Sequence, residues 1–240
     1  GQMANMTIYS ALVDFLNRTD RRREPRRIPL VMNNHIGKGG HLSSQPMGAL
    51  RDYVAKDPVT EKYSVLNFPV LPDNPYCIDL NETANLLDRF DPELIILGKS
   101  MILHPEPVAA IRKMLETKTS KPVIMYDMAH VLGLIGPHFQ NPYEEGADII
   151  TGSTHKTFYG SQRGVIGAAY EEGAPEFELW KSIERRAFPG AVSNHHLGTL
   201  LGLLMAVLEM NAFKDSYQPQ VVANAKAFAQ ALVDEGLEVQ

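Results

Sequence analysis

Short apolar runs alternate with longer amphipathic segments along this 240-residue chain. The short runs predict strands at 28–32, 65–70, 94–97, 123–126, 149–150 and 164–169. Apolar residues at helical spacing predict helices at 3–17, 80–90, 108–115, about 196–210 and 221–232. Strands that alternate with helices in this way predict an α/β fold with a mainly parallel sheet flanked by helices.

Composition narrows the class of protein. With 44% hydrophobic and 21% charged residues, the chain can bury a substantial core as one large domain. Its net charge of −5 gives no reason to expect nucleic acid or an anionic membrane as a partner. The longest strongly apolar stretch, 200–208, is shorter than the ~20 residues of a membrane span. The single cysteine, Cys77, fits a reducing compartment and predicts a cytoplasmic protein.

A cluster of arginines lies between positions 18 and 27, interrupted by Pro25. Recognition of single-stranded nucleic acid uses aromatic side chains on which bases stack, and none interleaves with these arginines. The cluster is therefore interpreted as a solvated loop.

Polar residues follow several of the predicted strands. His41, Ser100, Asp127 and Lys156 each lie in a loop beyond the end of a strand. In open α/β sheets, ligands bind outside the carboxyl ends of the strands. These four residues are therefore expected to converge on one edge of the sheet.

Lys156 and Asp127 together indicate the chemistry of pyridoxal phosphate. Lys156 lies among hydroxyls and a histidine in the run 153–157, where a lowered pKa would favour a Schiff-base amine. Asp127 could keep the cofactor's ring nitrogen protonated, and His130 could face the same ligand if the segment is helical. The ordinary alternatives are a surface lysine and a helix-capping aspartate.

The remaining candidates have weaker signals. His41 follows Gly39 and Gly40, where small residues would let a histidine stack on a flat ligand. The run around Ser100 fails as a phosphate loop because Glu93 stands where the first glycine belongs. A metal hydrolase is another alternative. Its metal ligands would be chosen from Asp127, His130, His155, His195 and His196. Adjacent histidines on a helix point in different directions, so no metal is predicted.

Six runs, in this order, resemble motifs of the serine hydroxymethyltransferase family. They are Gly-Gln-Met-Ala-Asn at 1–5, Gly-Gly-His-Leu at 39–42, Asp-Met-Ala-His at 127–130, Gly-Ala-Asp-Ile-Ile at 146–150, Thr-His-Lys-Thr at 154–157 and Phe-Pro-Gly at 188–190. The resemblance covers nearly the whole chain. It implies the large domain of a fold-type I pyridoxal-phosphate transferase, similar to that of aspartate aminotransferase, with a sheet of seven strands.

The resemblance also implies a role for each matching residue. Lys156 would form the Schiff base, Asp127 would bind the pyridine nitrogen, and His41 would stack on the ring. Ser100 and His130 would lie near the phenolic oxygen. The implied catalytic set is Lys156, His41, Asp127 and His130, and the cofactor-binding set adds Gly1, Gln2, Ser100, Ser153 and His155. Leu42 would lie where folate approaches.

The implied reaction makes or breaks the bond between Cα and Cβ of a β-hydroxy amino acid through a glycyl carbanion. Serine, glycine or threonine is the implied substrate, tetrahydrofolate is the implied co-substrate, and the implied assembly is a homodimer. Family active sites draw on both subunits.

Three departures from the family pattern support a second alternative. Gln2 stands where the family has a phosphate-binding serine, and 193–196 replace a glycine pair that reaches the neighbouring subunit's cofactor. One additional residue lies between Lys156 and Arg163. These changes resemble threonine-type transaldolases, which pass the glycyl unit to an aldehyde instead of to folate.

Both ends of the sequence have the appearance of cuts through a longer protein. The expected organisation is a pyridoxal-phosphate-binding large domain at 1–211 without its N-terminal segment, then the start of a connection to an absent C-terminal small domain at 212–240. The family's acid/base glutamate and a cofactor-contacting tyrosine would precede Gly1, and its carboxylate-binding arginine would follow Gln240. A non-catalytic cofactor-binding fragment is therefore the third alternative.

Overall fold

The computed structural model describes residues 1–20, 24–194 and 196–239. Arg21, Arg22 and Arg23 of the predicted arginine loop lie outside the described residues, and so does His195, one of the histidines of the metal alternative.

One mainly parallel sheet organises the described residues, as predicted. Its strands are β1 (Val31–Asn33), β2 (Val65–Asn67), β3 (Leu94–Leu97), β4 (Val123–Asp127), β5 (Ile149–His155) and β6 (Tyr159–Ala168). They lie in the order β2-β1-β3-β4-β5-β6. Every neighbouring pair is parallel except β5 and β6, which are antiparallel. The described part of the chain thus forms six strands of the seven that the resemblance implied.

Helices cover both faces of this sheet because successive strand residues point to opposite sides. Leu94 and Ile96 pack in one core cluster with helices α1 (Gln2–Leu16) and α4 (Phe177–Arg185). Ile95 and Leu97 pack in a second cluster with helices α2 (Leu80–Arg89) and α3 (Val108–Leu115). The near-continuous apolar runs of β3 and β4 are typical of strands buried on both faces.

Predicted and observed helices α1, α2 and α3 agree within a residue at each end. Asp79 explains where α2 begins, because its carboxylate accepts hydrogen bonds from the backbone N–H groups of Asn81 and Glu82 at 2.9 and 3.1 Å. Helix α4 was not predicted.

Several predicted strand bounds were wrong for identifiable reasons. Strand β1 begins at Val31 instead of position 28, and Pro29 cannot donate a ladder hydrogen bond. Strand β5 runs on to His155 instead of ending at position 150. Its polar second half pairs with β6, and hydrophobicity alone does not reveal such pairing. For the same reason β6 begins at Tyr159 instead of position 164.

The two predicted C-terminal helices are one helix, α5 (Leu197–Asp234), with Pro219 in its interior. Proline in a helix interior removes one hydrogen bond and usually breaks or kinks the helix. Here the side chains just before it bind the body of the protein: Tyr217 to the carbonyl of Thr157 and Gln218 to the carbonyl of Gly133. The predicted division at 211/212 falls inside this helix and stays a prediction.

Helix α5 is largely exposed and apolar. Its exposed apolar face includes Leu197, Leu201, Leu204, Met205 and Leu208. Among the described helices, α5 meets a length-and-composition criterion for crossing a membrane, with an 18-residue window of mean hydropathy 1.4 that is 11% buried. Core helices of soluble proteins meet the same criterion, so one such helix is a weak indication.

We expect Gly98→Ala to destabilise the fold far more than Gly173→Ala. Both glycines have positive φ, +115° and +92°, so both variants carry the ~1–2 kcal/mol cost of a left-handed backbone. A Cβ at Gly98 would also lie 2.1 Å from the Asp127 carbonyl oxygen, whereas nothing lies within 4 Å of one at Gly173. In urea unfolding, Gly98→Ala should lower the free energy of unfolding by more than ~3 kcal/mol, and Gly173→Ala should lower it by less. Equal losses would contradict the close approach of β3 and β4 at this point.

Candidate active site

The candidate site lies at the carboxyl edge of the sheet, where β4 ends at Asp127 and β5 ends at His155. Lys156 lies in the tight turn between β5 and β6, which pair at His155 and Tyr159. The loop after β1 brings His41 to the same edge, where its imidazole bonds Asp127. Three of the predicted catalytic residues therefore come from three separate segments of the chain.

The Asp127 carboxylate is the centre of the site. It is 1% exposed, and its Oδ2 lies 2.5 Å from His41 Nδ1 and 2.7 Å from Asn5 Nδ2, which donates to it. Its Oδ1 accepts the backbone N–H of Ala129 at 3.0 Å. One oxygen thus accepts a backbone N–H of the turn that follows β4, where no helix begins, and the other binds side chains. The helix-capping alternative is therefore wrong in its helix, and the role of Asp127 toward a cofactor stays a prediction.

Asn5 is a site residue for which the sequence analysis assigned no role. It is fully buried in α1 and donates to Asp127 and to Ser43 Oγ, the latter at 2.7 Å. Its Oδ1 accepts the hydroxyl of Thr151 from β5 at 2.6 Å. An asparagine within an apolar helical pattern, four residues after Gly1, was the available signal. The side chain joins α1, the His41 loop, β4 and β5.

These hydrogen bonds determine the ionisation of Asp127. Burial by itself raises the pKa of a carboxyl group. The hydrogen bond and charge of His41, with the donors Asn5 and Ala129, outweigh burial and hold the pKa of Asp127 below its ordinary value. The carboxylate is therefore ionised at neutral pH although it is buried.

Lys156 has the environment of a reactive amine. Its Nζ donates to Ser153 Oγ at 3.2 Å. Lys156 is exposed as a residue, but partial desolvation of its ammonium group lowers the pKa of Lys156, while the charge of Asp127 acts in the opposite direction. Desolvation disfavours the ammonium form of a lysine, so the neutral amine is more populated here than on a fully solvated lysine.

His130 lies against His41, with ring centroids 4.9 Å apart and an interplanar angle of 89°. Its segment, 128–131, is a turn instead of the helix on which the expectation for His130 depended. Burial, with the nearby positive charge of Lys156, lowers the pKa of His130 to about 4. The ring is therefore neutral at pH 7. Within the described residues, its buried Nδ1 has no hydrogen-bond partner.

The predicted phosphate side is only partly assembled by contacts. A Cβ at Gly1 would lie 2.7 Å from Ser153 Oγ, so the start of α1 touches the end of β5. Gln2 and His155 are exposed. Ser100 is also exposed, and its backbone N–H donates to the Gly39 carbonyl at 2.8 Å. The cofactor roles of these residues stay predictions.

A buried ion pair lies behind the loop that carries His41. Lys99 Nζ is 2.5 Å from Glu106 Oε1, and both side chains are nearly inaccessible. Asn34 donates to Glu106 Oε2 at 3.1 Å, and Gly40 pairs with Lys99 through the backbone. Burial raises the pKa of Glu106 despite the adjacent Lys99 ammonium. The pair anchors both ends of the loop from Asn34 to His41.

The residues fit the pyridoxal phosphate that the resemblance implies. An ionised aspartate suits the pyridinium nitrogen, a lysine with a lowered pKa suits the aldehyde carbon, and a helix start beside Ser153 suits a phosphate group. The unpartnered Nδ1 of His130 is one more polar atom available to a ligand.

No group of three or more His, Cys, Asp or Glu side chains in the described part of the chain is placed to hold a metal ion. His196 instead lines a cavity of about 560 Å³ with Ser193, Asn194 and Arg163, next to the start of α1. Ser193, Asn194 and His196 belong to the segment 193–196, which replaces the glycine pair of the family pattern.

Comparisons with known proteins agree with the motifs. The family model described as serine hydroxymethyltransferase matches residues 1–240. The serine hydroxymethyltransferase of Archaeoglobus fulgidus is 41% identical over 210 residues, which are 87% of this chain and 44% of that protein. That of Korarchaeum cryptofilum is 38% identical over 241 residues, with 100% of this chain and 51% of the relative covered.

Among solved structures, an L-threonine transaldolase from Pseudomonas fluorescens superposes with a TM-score of 0.76 at 29% identity. The match covers 98% of this chain and 48% of that one. The chain therefore spans about half the length of the relatives it matches.

Replacing Asp127 by asparagine should change how stability depends on pH. Because the folded-state pKa of Asp127 is depressed, its ionised form contributes stability above pH ~4 that is lost as pH falls through the folded pKa. Asp127→Asn should lower the free energy of unfolding by ~1–3 kcal/mol at pH 7 and by less at pH 3. Urea unfolding between pH 3 and 7 measures this, with exposed Asp52→Asn as the control. A loss that is constant with pH would contradict the ionised carboxylate.

Lys99→Met should cost ~3–5 kcal/mol of stability, because it leaves Glu106 buried without its cation. The double variant Lys99→Met/Glu106→Leu should recover much of that loss, since neither charge then remains. Lys181→Met, which breaks the exposed pair with Glu178, should cost less than ~1 kcal/mol. Urea unfolding of these three variants and the wild type provides the comparison, and a double variant no more stable than Lys99→Met would contradict direct coupling of Lys99 and Glu106.

Proposed function

Because the chain belongs to the serine hydroxymethyltransferase family, we propose that it holds pyridoxal phosphate on Lys156 and acts on the Cα–Cβ bond of a β-hydroxy amino acid. The observation that carries the proposal is the geometry around Asp127. A buried, ionised carboxylate lies among three segments of the site, and the nearby lysine has a lowered pKa. Both requirements of a Schiff-base site of this type are present at one edge of the sheet.

Pyridoxal phosphate, when bound, supplies an electron sink for the carbanion of the amino acid. Asp127 would hold a proton on the ring nitrogen, and Asn5 and His41 keep that carboxylate ionised and oriented. Lys156 would hold the cofactor covalently through Nζ. Serine, glycine or threonine is the proposed amino-acid substrate.

The other site residues have proposed roles in binding. His130 is neutral at pH 7, so its Nδ1, which has no partner among the described residues, can accept a hydrogen bond from a ligand hydroxyl. The start of α1, with Ser153 beside it, is proposed to bind the phosphate, because backbone N–H groups at a helix N-terminus favour anions. Gln2, His155 and Ser100 are proposed to complete the cofactor contacts.

Two reactions are compatible with the proposal, and they differ in the molecule that accepts the one-carbon or glycyl unit. Transfer to tetrahydrofolate is the reaction proposed from the family. Transfer to an aldehyde is the second candidate, supported by the structural similarity to an L-threonine transaldolase and by the departures at Gln2 and 193–196. A non-catalytic cofactor-binding role is the third candidate.

The proposed assembly is a homodimer in the cytoplasm. The exposed apolar face of α5 supports the assembly, because contiguous exposed apolar patches of this kind are typical of interaction surfaces. Neither nucleic acid nor a membrane is proposed as a partner.

Reduction with borohydride in the presence of pyridoxal phosphate should attach the cofactor to Lys156 and not to other lysines. The expected result is a single modified peptide that contains 153–157. It should be absent in Lys156→Arg and retained in Lys226→Arg, which changes an exposed lysine of α5. Peptide mapping by mass spectrometry makes the measurement. Modification spread evenly over surface lysines would contradict the proposed site.

Activity assays separate the two candidate reactions from each other and from the non-catalytic role. The full chain with bound cofactor is supplied with serine and tetrahydrofolate, or with threonine and an aromatic aldehyde. Turnover of the first pair supports the hydroxymethyltransferase, and turnover of the second supports the transaldolase. Specific capture on Lys156 without either turnover would support the non-catalytic role.

A further inference from the structure

Helix α5 reaches the site through two adjacent side chains. Tyr217 donates its hydroxyl to the carbonyl of Thr157 at 2.6 Å, and Thr157 directly follows Lys156. Gln218 Nε2 donates to the carbonyls of Gly133 and Ile135 at 3.0 and 2.9 Å. These carbonyls belong to the loop that follows His130.

Thr157 joins the two loops to each other. Its hydroxyl donates to the carbonyl of His130 at 2.7 Å and accepts the backbone N–H of Gly133 at 3.2 Å. The backbones are also in direct contact, because a Cβ at Gly133 would lie 2.2 Å from the Thr157 carbonyl oxygen. The residue after Lys156 and the residues at and after His130 therefore move as one unit.

The geometry of Gln218 determines the orientation of its amide. The side chain is 2% exposed, and both neighbours are carbonyls, which only an N–H group can satisfy. Its Oε1 is buried with no partner among the described residues. An unsatisfied buried acceptor lowers the stability of the folded protein. The amide of Gln218 therefore makes its two bonds to the loop after His130 at the cost of leaving its own oxygen without a partner among the described residues.

We propose that Tyr217 and Gln218 of helix α5 are positioning residues. By binding the loops that carry Lys156 and His130, they determine where these two side chains lie relative to Asp127. Both act on Lys156 indirectly, through Thr157 and Gly133. The inference rests on the proposed role of Lys156 and goes beyond it by assigning a function to the middle of α5. It also explains why the helix continues through Pro219, since its binding to the loops lies at this turn.

Two variants test the proposal with little change in side-chain volume. Tyr217→Phe removes the hydroxyl but retains the ring contact with Tyr159, whose centroid is 5.2 Å away. Gln218→Met removes both donated bonds. Gln220→Met is the matched control, because Gln220 is exposed on the same helix and bonds only locally, to Asn224.

The first measurement is the reactivity of Lys156 without cofactor. Competitive labelling of amines across pH, read by mass spectrometry of the 153–157 peptide, gives the titration midpoint of Lys156 in the full chain. The Gly1 amino group, Asp127, His130 and His155 are the ionisable groups around it and are unchanged in all variants. We expect Tyr217→Phe and Gln218→Met to move the midpoint upward, because a relaxed loop exposes the amine to water. Gln220→Met should match the wild type.

The second measurement is the rate at which pyridoxal phosphate is captured on Lys156. A misplacement of the order of 1 Å can slow an oriented reaction by up to ~100-fold, and we expect at least ~10-fold for both variants. Melting temperatures identify a merely structural role. A lowered melting temperature with an unchanged midpoint and capture rate would overturn the proposal.

The two proposals fail in different ways. Failure of the wild type to capture cofactor on Lys156 contradicts the proposed function, and the labelling midpoints still test the positioning role. Specific capture in the wild type and unchanged behaviour of both variants contradicts the positioning role alone.

Discussion

The site depends on one buried carboxylate. Asp127 is nearly inaccessible to water, and an isolated charge in such a place would be neutralised. It stays ionised because Asn5 and His41 supply hydrogen bonds from two other segments, and the Ala129 N–H occupies its second oxygen. The same bonds dock α1 and the His41 loop onto the end of β4, and the Thr151 hydroxyl, which donates to Asn5, adds β5. The contacts that keep Asp127 ionised are therefore also the contacts that hold the segments of the site together.

Further polar contacts hold the loops that lie around Asp127. The buried pair of Lys99 and Glu106 holds the loop that leads to His41, and Thr157 ties the Lys156 turn to the His130 loop. His41, His130 and Lys156 thus lie on short loops that are bound to other segments of the protein. Catalytic side chains need this kind of support, because loops alone place functional groups imprecisely.

The prediction of the fold was accurate where apolar residues determine the structure. Strand β3 and helix α3 have the predicted bounds because their apolar residues are buried in the pattern that each element requires. It failed where tertiary contacts override local preference. The polar half of β5 is a strand only because β6 pairs with it, and α5 continues through Pro219. The sheet order and the antiparallel β6 likewise depend on long-range pairing.

The site divides in the same way. The family, the α/β architecture and four candidate residues, Lys156, Asp127, His41 and His130, are readable from the amino-acid sequence, because motifs and strand ends are local features of the chain. The folded structure was needed to show that Asn5, from the first helix, holds Asp127 and that Tyr217 and Gln218 bind the loops of Lys156 and His130. These residues lie 122, 60 and 85 positions from their partners. Contacts at such separations arise from packing of the whole fold, and no local pattern in the sequence shows which residues are partners.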